Sequence, residues 1–313
     1  MTGDPKLAIV APAFNEEESV PEFYRRVTAA ARAVVGGDYR IIVVDDGSRD
    51  RTFEILRALA ASDSRLTAIR LSRNFGHQIA LSAGLAVCRG DYVFIIDADL
   101  QDPPELLAEM MALAEREQAD VVYGKRRQRA GETAFKKTSA SLFYRLLARL
   151  SDVDIPADTG DFRLVRRRVV DVLNAMPERY RFTRGLVSWI GLKQIAFEYD
   201  REARHYGTTH YPLRKMLHFA VDAITSFSVR PLRIASYAGI ITSFASLAAM
   251  AYSLGSWLFG DTVPGWTSLL SVILLLGSIQ LFVIGIIGEY LGRLYLETKR
   301  RPLYVISDIE NPT

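Results

Sequence analysis

Residues 92–102 read Tyr92-Val93-Phe94-Ile95-Ile96-Asp97-Ala98-Asp99-Leu100-Gln101-Asp102, an uninterrupted apolar run followed at once by two carboxylates two positions apart. A short apolar run of this kind suits a strand buried on both faces, as in a parallel sheet covered by helices. Carboxylates at i and i+2 point to opposite sides of a strand. Where the strand gives way to a loop, both can reach one cation, and hard oxygen ligands suit Mg²⁺ or Mn²⁺, which in turn bind phosphates. A lone Asp-x-Asp is common in helix caps and solvated loops. Here it follows a wholly apolar run and is matched by a second acidic pair, Asp45-Asp46, after Ile41–Val44. Metal and nucleotide binding at strand ends is the reading that accounts for both.

Outward from this stretch, residues 1 to about 125 alternate two patterns. Short apolar runs at Leu7–Ala11, Ile41–Val44, Thr67–Leu71, Tyr92–Ile96 and Asp120–Tyr123 read as strands. Helical periodicity occupies Glu17–Val34, Thr52–Ala61, Gln78–Cys88 and Pro104–Glu117, the last opened by a Pro pair. The rhythm predicts an α/β domain with a mostly parallel, Rossmann-like sheet, whose ligands gather at the carboxyl ends of the strands. A dinucleotide-binding domain needs Gly-x-Gly-x-x-Gly after the first strand. Pro12-Ala13-Phe14-Asn15 cannot supply it, so a dehydrogenase is excluded.

The chain has 313 residues, 49% hydrophobic and 24% charged, and a net charge of +3, too small to argue for nucleic acid as a partner. Its mean hydropathy of +0.08 is high for so charged a chain, and the cause is local. No Asp, Glu, Lys, Arg or His interrupts Ile234–Phe259 or Val263–Gly288. At about 1.5 Å per residue each covers a hydrocarbon core of about 30 Å as a helix. Lys and Arg flank the pair outside (Arg230, Arg233, Arg293, Lys299, Arg300, Arg301) and are missing between them, which places both ends in the cytoplasm. Tyr211–Phe227 reads as an amphipathic helix along the cytoplasmic leaflet. The expected organisation is an enzyme domain over 1–210, a juxtamembrane region over 211–232, spans over 233–259 and 267–292 joined by an extracytoplasmic connector at 260–266, and a cytoplasmic tail over 293–313. Leu7–Ala13 is too short for a secretory leader and runs into Glu16, Glu17 and Glu18. Cys88, the single cysteine, excludes an internal disulfide and reads as a buried thiol on a helix face.

Together these motifs resemble the polyprenyl-phosphate glycosyltransferases of glycosyltransferase family 2, relatives of dolichol-phosphate mannose synthase and of bacterial undecaprenyl-phosphate glucosyltransferases. The likeness is carried by Val10-Ala11-Pro12-Ala13-Phe14-Asn15-Glu16, Val43-Val44-Asp45-Asp46-Gly47-Ser48, Arg73-Asn74-Phe75-Gly76-His77 and Asp97-Ala98-Asp99-Leu100-Gln101-Asp102-Pro103. It continues through Asp158-Thr159-Gly160-Asp161-Phe162-Arg163-Leu164, Arg181-Phe182-Thr183-Arg184-Gly185 and Gly207-Thr208-Thr209-His210-Tyr211-Pro212-Leu213-Arg214-Lys215, ahead of the two spans.

The resemblance implies a GT-A fold, a nucleotide-diphosphate sugar donor, a polyprenyl phosphate acceptor and a divalent metal, Mg²⁺ or Mn²⁺. Pro12, Phe14, Glu16, Asp45 and Asp46 would then line the nucleoside pocket with Asp97 and Ala98. Asp99 would be the principal metal ligand, helped by Gln101 and Asp97. Asp46 has a second reading, as a cap on the helix after Ser48. Asp161 takes the position of the catalytic carboxylate, with Asp158 as its neighbour and alternative. A phosphate monoester, with a second pKa near 6, is already largely dianionic at neutral pH, so proton abstraction is a weak role for Asp161, and orientation of the sugar or of an arginine is the other. Arg126, Arg204 and Lys215, then Arg201 and Arg214, are the choices for the acceptor phosphate and the diphosphate.

His77, at a helix start, reads as a cap or packing residue rather than a base. Arg166-Arg167-Arg168 reads as a solvated helix opening, and the Leu142, Leu146, Leu150 stripe as core. UDP-glucose leads among donors, with GDP-mannose or another UDP-sugar as alternatives. A processive synthase is disfavoured by the lack of a Gln-x-x-Arg-Trp motif and by the presence of only two spans. From another class, the alternative is a non-catalytic membrane adaptor or flippase subunit. The family suggests a homo-oligomer, commonly a tetramer, and the tail run Leu303-Tyr304-Val305-Ile306 is a place for pairing with a neighbouring subunit.

Overall fold

The computed structural model describes residues 4–127, 159–200, 228–258 and 265–311. They fall in two units. The first, which holds the sheet, runs to Tyr144 and takes in Val153–Leu213 and Arg301–Thr313; the second holds the apolar helices. The expected Tyr211–Phe227 helix, the Leu142–Leu150 stripe and most of the connector lie outside the described residues.

In the first unit the described elements follow in chain order: β1 (Leu7–Ala13), α1 (Val20–Val35), β2 (Tyr39–Asp45), α2 (Thr52–Ser62), β3 (Leu66–Leu71), α3 (His77–Val87), β4 (Tyr92–Ile95), a 3₁₀ turn at Pro104–Leu106, α4 (Leu107–Arg116), β5 (Val121–Arg126), β6 (Thr159–Arg166), α5 (Arg167–Ala175), α6 (Thr183–Ile190), β7 (Gln194–Tyr199) and β8 (Ile306–Glu310). The sheet order is β7-β5-β6-β4-β1-β2-β3-β8. β1 is parallel to β2 and to β4, β2 to β3, and β5 to β7, whereas β6 and β8 run antiparallel to their neighbours. The result is a mostly parallel mixed sheet.

Side-chain alternation along β1 explains the layers. Leu7, Ile9, Ala11 and Ala13 join the core made with α1, α2 and α4. On the other face α3 lies so close that a Cβ on Gly84 would come within 2.4 Å of Val10 Cγ1 and 3.2 Å of Val44 Cγ2. Neither neighbour is a flexible chain end. Gly84→Ala is therefore expected to destabilise the domain by about 1–3 kcal/mol through overpacking, seen as a lower thermal midpoint. An unchanged midpoint would contradict that contact.

All five expected strands and four expected helices form, with ends shifted by a few residues. β6, β7 and the full β8 were not foreseen as strands. The tail does not wait for a neighbour: Ile306–Glu310 pairs with β3 of its own chain, with Ile69 opposite Ile309. The Asn311 side chain donates to the Ala60 carbonyl at 2.5 Å and the Leu66 carbonyl at 3.2 Å, and the Asn311 backbone carbonyl accepts the Thr67 hydroxyl at 2.6 Å. The arginine triplet is solvated only in part, with Arg168 exposed and Arg166 and Arg167 half-buried. Arg166 donates to the Ala119 carbonyl at 3.1 Å, Arg167 to the Cys88 carbonyl at 2.6 Å, and Arg168 pairs with buried Asp120. Each spends its guanidinium on a strand or helix end. Cys88 is fully buried, as expected.

In the second unit two helices, α7 (Arg230–Leu258) and α8 (Trp266–Thr298), pack against each other. Their spans Arg230–Ser253 and Val272–Thr298 are long and apolar enough to cross a membrane. Large apolar side chains, among them Phe244, Leu247, Leu281 and Phe282, face outward. An apolar exterior of this length is what lipid covers, and the chain is membrane-associated through it. The Tyr290 hydroxyl donates to the Ser228 carbonyl at 2.6 Å, tying the second helix to the entry of the first.

Candidate active site

β2 and β4 flank β1, and the chain connections leave in opposite directions there, the arrangement that opens a crevice at the carboxyl ends of the strands. A cavity of about 320 Å³ occupies it. Of the expected site residues, Pro12, Phe14, Glu16, Asp46, Asp97, Ala98 and Asp99 line it, joined by Asn74, Gly76 and His77.

The β1 end turns through Asn15, at φ +54°, a left-handed conformation that Asn tolerates better than most residues. Its N–H donates to Ser48 Oγ at 2.8 Å, and its side-chain carbonyl accepts the Arg49 N–H at 2.9 Å. The β1 and β2 loops are thereby fastened to each other. Asp45 lies under this junction, fully buried, accepting the Ser48 N–H at 3.0 Å with Arg70 at 3.5 Å. Burial pushes its pKa up. Asp46 accepts the N–H groups of Phe75 at 2.7 Å and Gly76 at 2.9 Å. It holds the loop that leads into α3 rather than capping α2. Gly47, at φ +67°, lets that loop pass, since a Cβ there would sit 2.5 Å from the Arg73 carbonyl carbon.

The acidic loop after β4 contains an unusual turn. Leu100 has φ +60° although it carries a side chain, at a cost of about 1–2 kcal/mol. Its side chain is buried in the core, which offsets the strain and fixes the turn. Asp99 Oδ1 accepts the Gln101 N–H across it at 3.1 Å. Asp97 Oδ1 is buried and accepts no hydrogen bond. Burial, reinforced by the nearby charges of Asp161, Asp99 and Asp102, pushes the Asp97 pKa up to about 6.

A buried carboxylate oxygen lacking a donor, beside a second carboxylate at the same cavity, fits a hard cation. Among the described residues no three acidic, His or Cys side chains converge on one point. Asp97 and Asp99 offer the hard oxygens such a cation takes, and Mg²⁺ commonly completes its shell with phosphate and water oxygens.

Asp161, on β6, reaches the same region. Its Oδ2 accepts Gln78 Nε2 at 2.6 Å and lies 3.2 Å from His77 Nε2 and 3.8 Å from Arg184. Burial alone would raise its pKa, but the His77 hydrogen bond and the Arg184, His77 and Arg163 charges outweigh it and hold the carboxyl well below the usual range. Its Oδ1 is buried with no hydrogen-bond partner. His77 sits between Asp161 and Asp97 Oδ1, the latter at 3.5 Å. Burial would lower its pKa, yet the two carboxylates raise it to about 9. The two carboxylates thus favour its imidazolium form, which balances negative charge and disfavours a role as proton acceptor. That agrees with the reading that it is no base and departs from the reading of a mere cap.

Gln78 and Tyr199 carry no sequence signal, and Arg184 lies in the Arg181–Gly185 motif without a role assigned to it there. Gln78 Oε1 accepts the Thr183 N–H at 2.8 Å while its amide serves Asp161, so one side chain ties α3, β6 and α6 together. Arg126 is not on the cavity lining but stands beside Gly160 and Tyr199. Asp158, Arg201, Arg204, Arg214 and Lys215 lie outside the described residues.

Residues 8–173 match Glycosyl transferase family 2, and residues 230–294 match the GtrB C-terminal hairpin. The chain is 49% identical over 302 residues to an uncharacterized glycosyltransferase, YkcC, of Bacillus subtilis, covering 96% of this chain and 93% of that one. It is 41% identical over 313 residues to the prophage bactoprenol glucosyl transferase homolog of Escherichia coli, covering 97% and 99%. Identity to the bactoprenol glucosyl transferase of Shigella phage SfV is 39% over 311 residues, covering 97% and 98%. With a mostly parallel sheet, an acidic loop opening on a cavity at its switch point, and two apolar helices after it, the chain belongs to glycosyl transferase family 2 and is a glycosyltransferase with a GtrB C-terminal hairpin.

Proposed function

We propose that this glycosyltransferase moves glucose from UDP-glucose to undecaprenyl (bactoprenol) phosphate at the cytoplasmic leaflet, with inversion at the anomeric carbon. The observation that carries this reading is the likeness to bactoprenol glucosyl transferases, which runs through the hairpin as well as the sheet domain. An acceptor with a long hydrocarbon tail explains why the enzyme domain and a membrane hairpin share one chain. The positive flanks of the spans favour cytoplasmic termini.

In the reaction an acceptor phosphate oxygen attacks the anomeric carbon, and the bond from that carbon to the diphosphate breaks with its electron pair leaving on the nucleoside diphosphate. Asp97 and Asp99, with Gln101, would hold Mg²⁺ or Mn²⁺, which when bound neutralises charge developing on the diphosphate. Pro12, Phe14, Glu16 and Ala98 shape the nucleoside end of the cavity, and Asp46 keeps the Phe75-Gly76 backbone in place. Asp161 is a positioning carboxylate. Gln78 and His77 occupy Oδ2, which leaves Oδ1 for a sugar hydroxyl, and its depressed pKa makes it a poor proton acceptor. The acceptor dianion needs none. Arg126 is the described cation assigned to phosphate, with Arg201, Arg204, Arg214 and Lys215 as further choices.

Purified protein incubated with undecaprenyl phosphate and UDP-glucose, other UDP-sugars or GDP-mannose is expected to form a glucolipid from UDP-glucose with Mg²⁺ or Mn²⁺ and none with EDTA. Product from another donor alone would reassign the sugar. No glycolipid from any donor would overturn the enzyme reading in favour of an adaptor.

A further inference from the structure

Behind the acidic loop lies a polar cluster that the lining of the cavity does not include. The Tyr199 hydroxyl, at the end of β7, donates to Asp102 Oδ1 at 2.5 Å. Asp102 is 1% exposed and is separated from Asp99 by two residues of the same loop. Arg126, at the end of β5, lies within electrostatic reach of both. Burial would lower its pKa, but Asp102 and Tyr199 raise it, and the field of Asp97 adds to theirs. Arg126 Nε is buried with no hydrogen-bond partner.

Two glycines make the cluster possible. A Cβ on Gly124 would lie 2.5 Å from Phe162 Cδ1 and 2.7 Å from Tyr199 Cε1. That glycine admits the tyrosine ring, which packs on Phe162 with ring centroids 5.1 Å apart. A Cβ on Gly160 would lie 3.0 Å from a terminal guanidinium nitrogen of Arg126, with no other contact nearer than 3.8 Å. Gly160 is next to Asp161, so the guanidinium rests on the backbone of the strand that carries the Asp161 carboxylate.

We propose that Tyr199, Asp102 and Gly160 are positioning residues for Arg126: the acid and phenol hold the guanidinium, the glycine gives it a seat, and the cation so fixed engages phosphoryl oxygen. This rests on the proposed transferase reading, in which Arg126 meets phosphate. Phosphoryl oxygen has two sources in that reaction, the donor diphosphate and the acceptor phosphate. The acidic loop thereby acts at both ends, Asp97 and Asp99 toward a cation and Asp102 toward an arginine. One loop movement would then shift the two phosphate-binding charges together. A fixed guanidinium is worth having because its planar fork gains specificity only when oriented.

Two variants separate positioning from folding. Tyr199→Phe removes one hydroxyl and keeps the ring packing, and Gly160→Ala presses only on the far end of a flexible side chain. The full-length protein in detergent is titrated calorimetrically with UDP in the presence of Mg²⁺ and, separately, with farnesyl phosphate, neither of which requires turnover. Each variant is expected to weaken one of the two by about tenfold with an unchanged thermal midpoint, the loss of one charge-assisted contact. Weakened farnesyl phosphate binding identifies the acceptor as the source, and weakened UDP binding the donor. In an Arg126→Lys background Tyr199→Phe should add less than twofold, because the two act through one group. Unchanged binding of both ligands, or full additivity with Arg126→Lys, would overturn the assignment of positioning. If the wild-type protein bound neither ligand, the transferase reading itself would fall.

Discussion

Asp99→Ala is expected to lower kcat by about a thousandfold, corresponding to about 4 kcal/mol of lost leaving-group stabilisation. The fold should survive. Asp99 Oδ1 accepts the Gln101 N–H, a bond worth about 1 kcal/mol, and the strained turn is anchored by the buried Leu100 side chain. The variant should therefore keep the wild-type thermal midpoint within a few degrees while its turnover no longer responds to Mg²⁺, Mn²⁺ or EDTA. Asp97→Ala is less informative, since it also removes a partner of His77. Turnover within tenfold of wild type, still abolished by EDTA, would show that Asp99 is not the metal ligand and would move that role to Asp97.

Asp161→Asn should reduce kcat by about a hundredfold or more while leaving the KM for the donor within a few fold. The change keeps the shape of the side chain but strips the negative charge that faces His77, Arg184 and Arg163. Removing one partner from a buried charge cluster costs about 3–5 kcal/mol, so a lowered thermal midpoint accompanies the loss. The pH dependence tells positioning from base catalysis. The folded-state pKa of Asp161 is depressed, so its stabilising charge is present above the ordinary aspartate pKa and is lost only as pH falls below it. Across neutral pH the carboxylate does not titrate. The wild-type rate should instead rise with pH as the acceptor phosphate gains its second charge, near pH 6. Asp97 also titrates near there in the absence of metal, and a phosphonate acceptor, with its higher second ionisation, separates the two. An inflection that moves upward with that acceptor, in wild type and in Asp161→Asn alike, supports positioning. An inflection that belongs to the wild type and disappears in Asp161→Asn would restore Asp161 as the base.

The parallel half of the sheet was legible because β1 to β5 are apolar runs that need no knowledge of their neighbours. β6 was not, for a physical reason. Thr159-Gly160-Asp161-Phe162-Arg163 alternates in a strand-like way, but its polar members, Asp161 and Arg163, are as buried as its apolar ones. Charge is read as exposure unless its partner is known, and the partners of Asp161 on α3, His77 and Gln78, are 84 and 83 residues away. The same distance hid His77, whose place at a helix start offers a sufficient local explanation. The acidic pairs could be found because a strand end is a local event. The Asp102, Tyr199 and Arg126 grouping could not, since it joins three separated segments, and two of the arginine triplet's contacts go to the backbone carbonyls of Ala119 and Cys88, which no side-chain pattern reveals.

The tail strand bears on how the protein is made. β8 follows both apolar helices in the chain, yet it completes the sheet beside β3, with Asn311 fastened to the α2–β3 connection. Until the segment after the two helices has been synthesised, β3 has an open hydrogen-bonding edge and the sheet lacks its last strand. Biogenesis is thus ordered: the domain closes only on a chain whose hairpin has already been synthesised. A chain stalled or cut between α8 and β8 would carry that bare edge, a ready target for chaperones and membrane proteases.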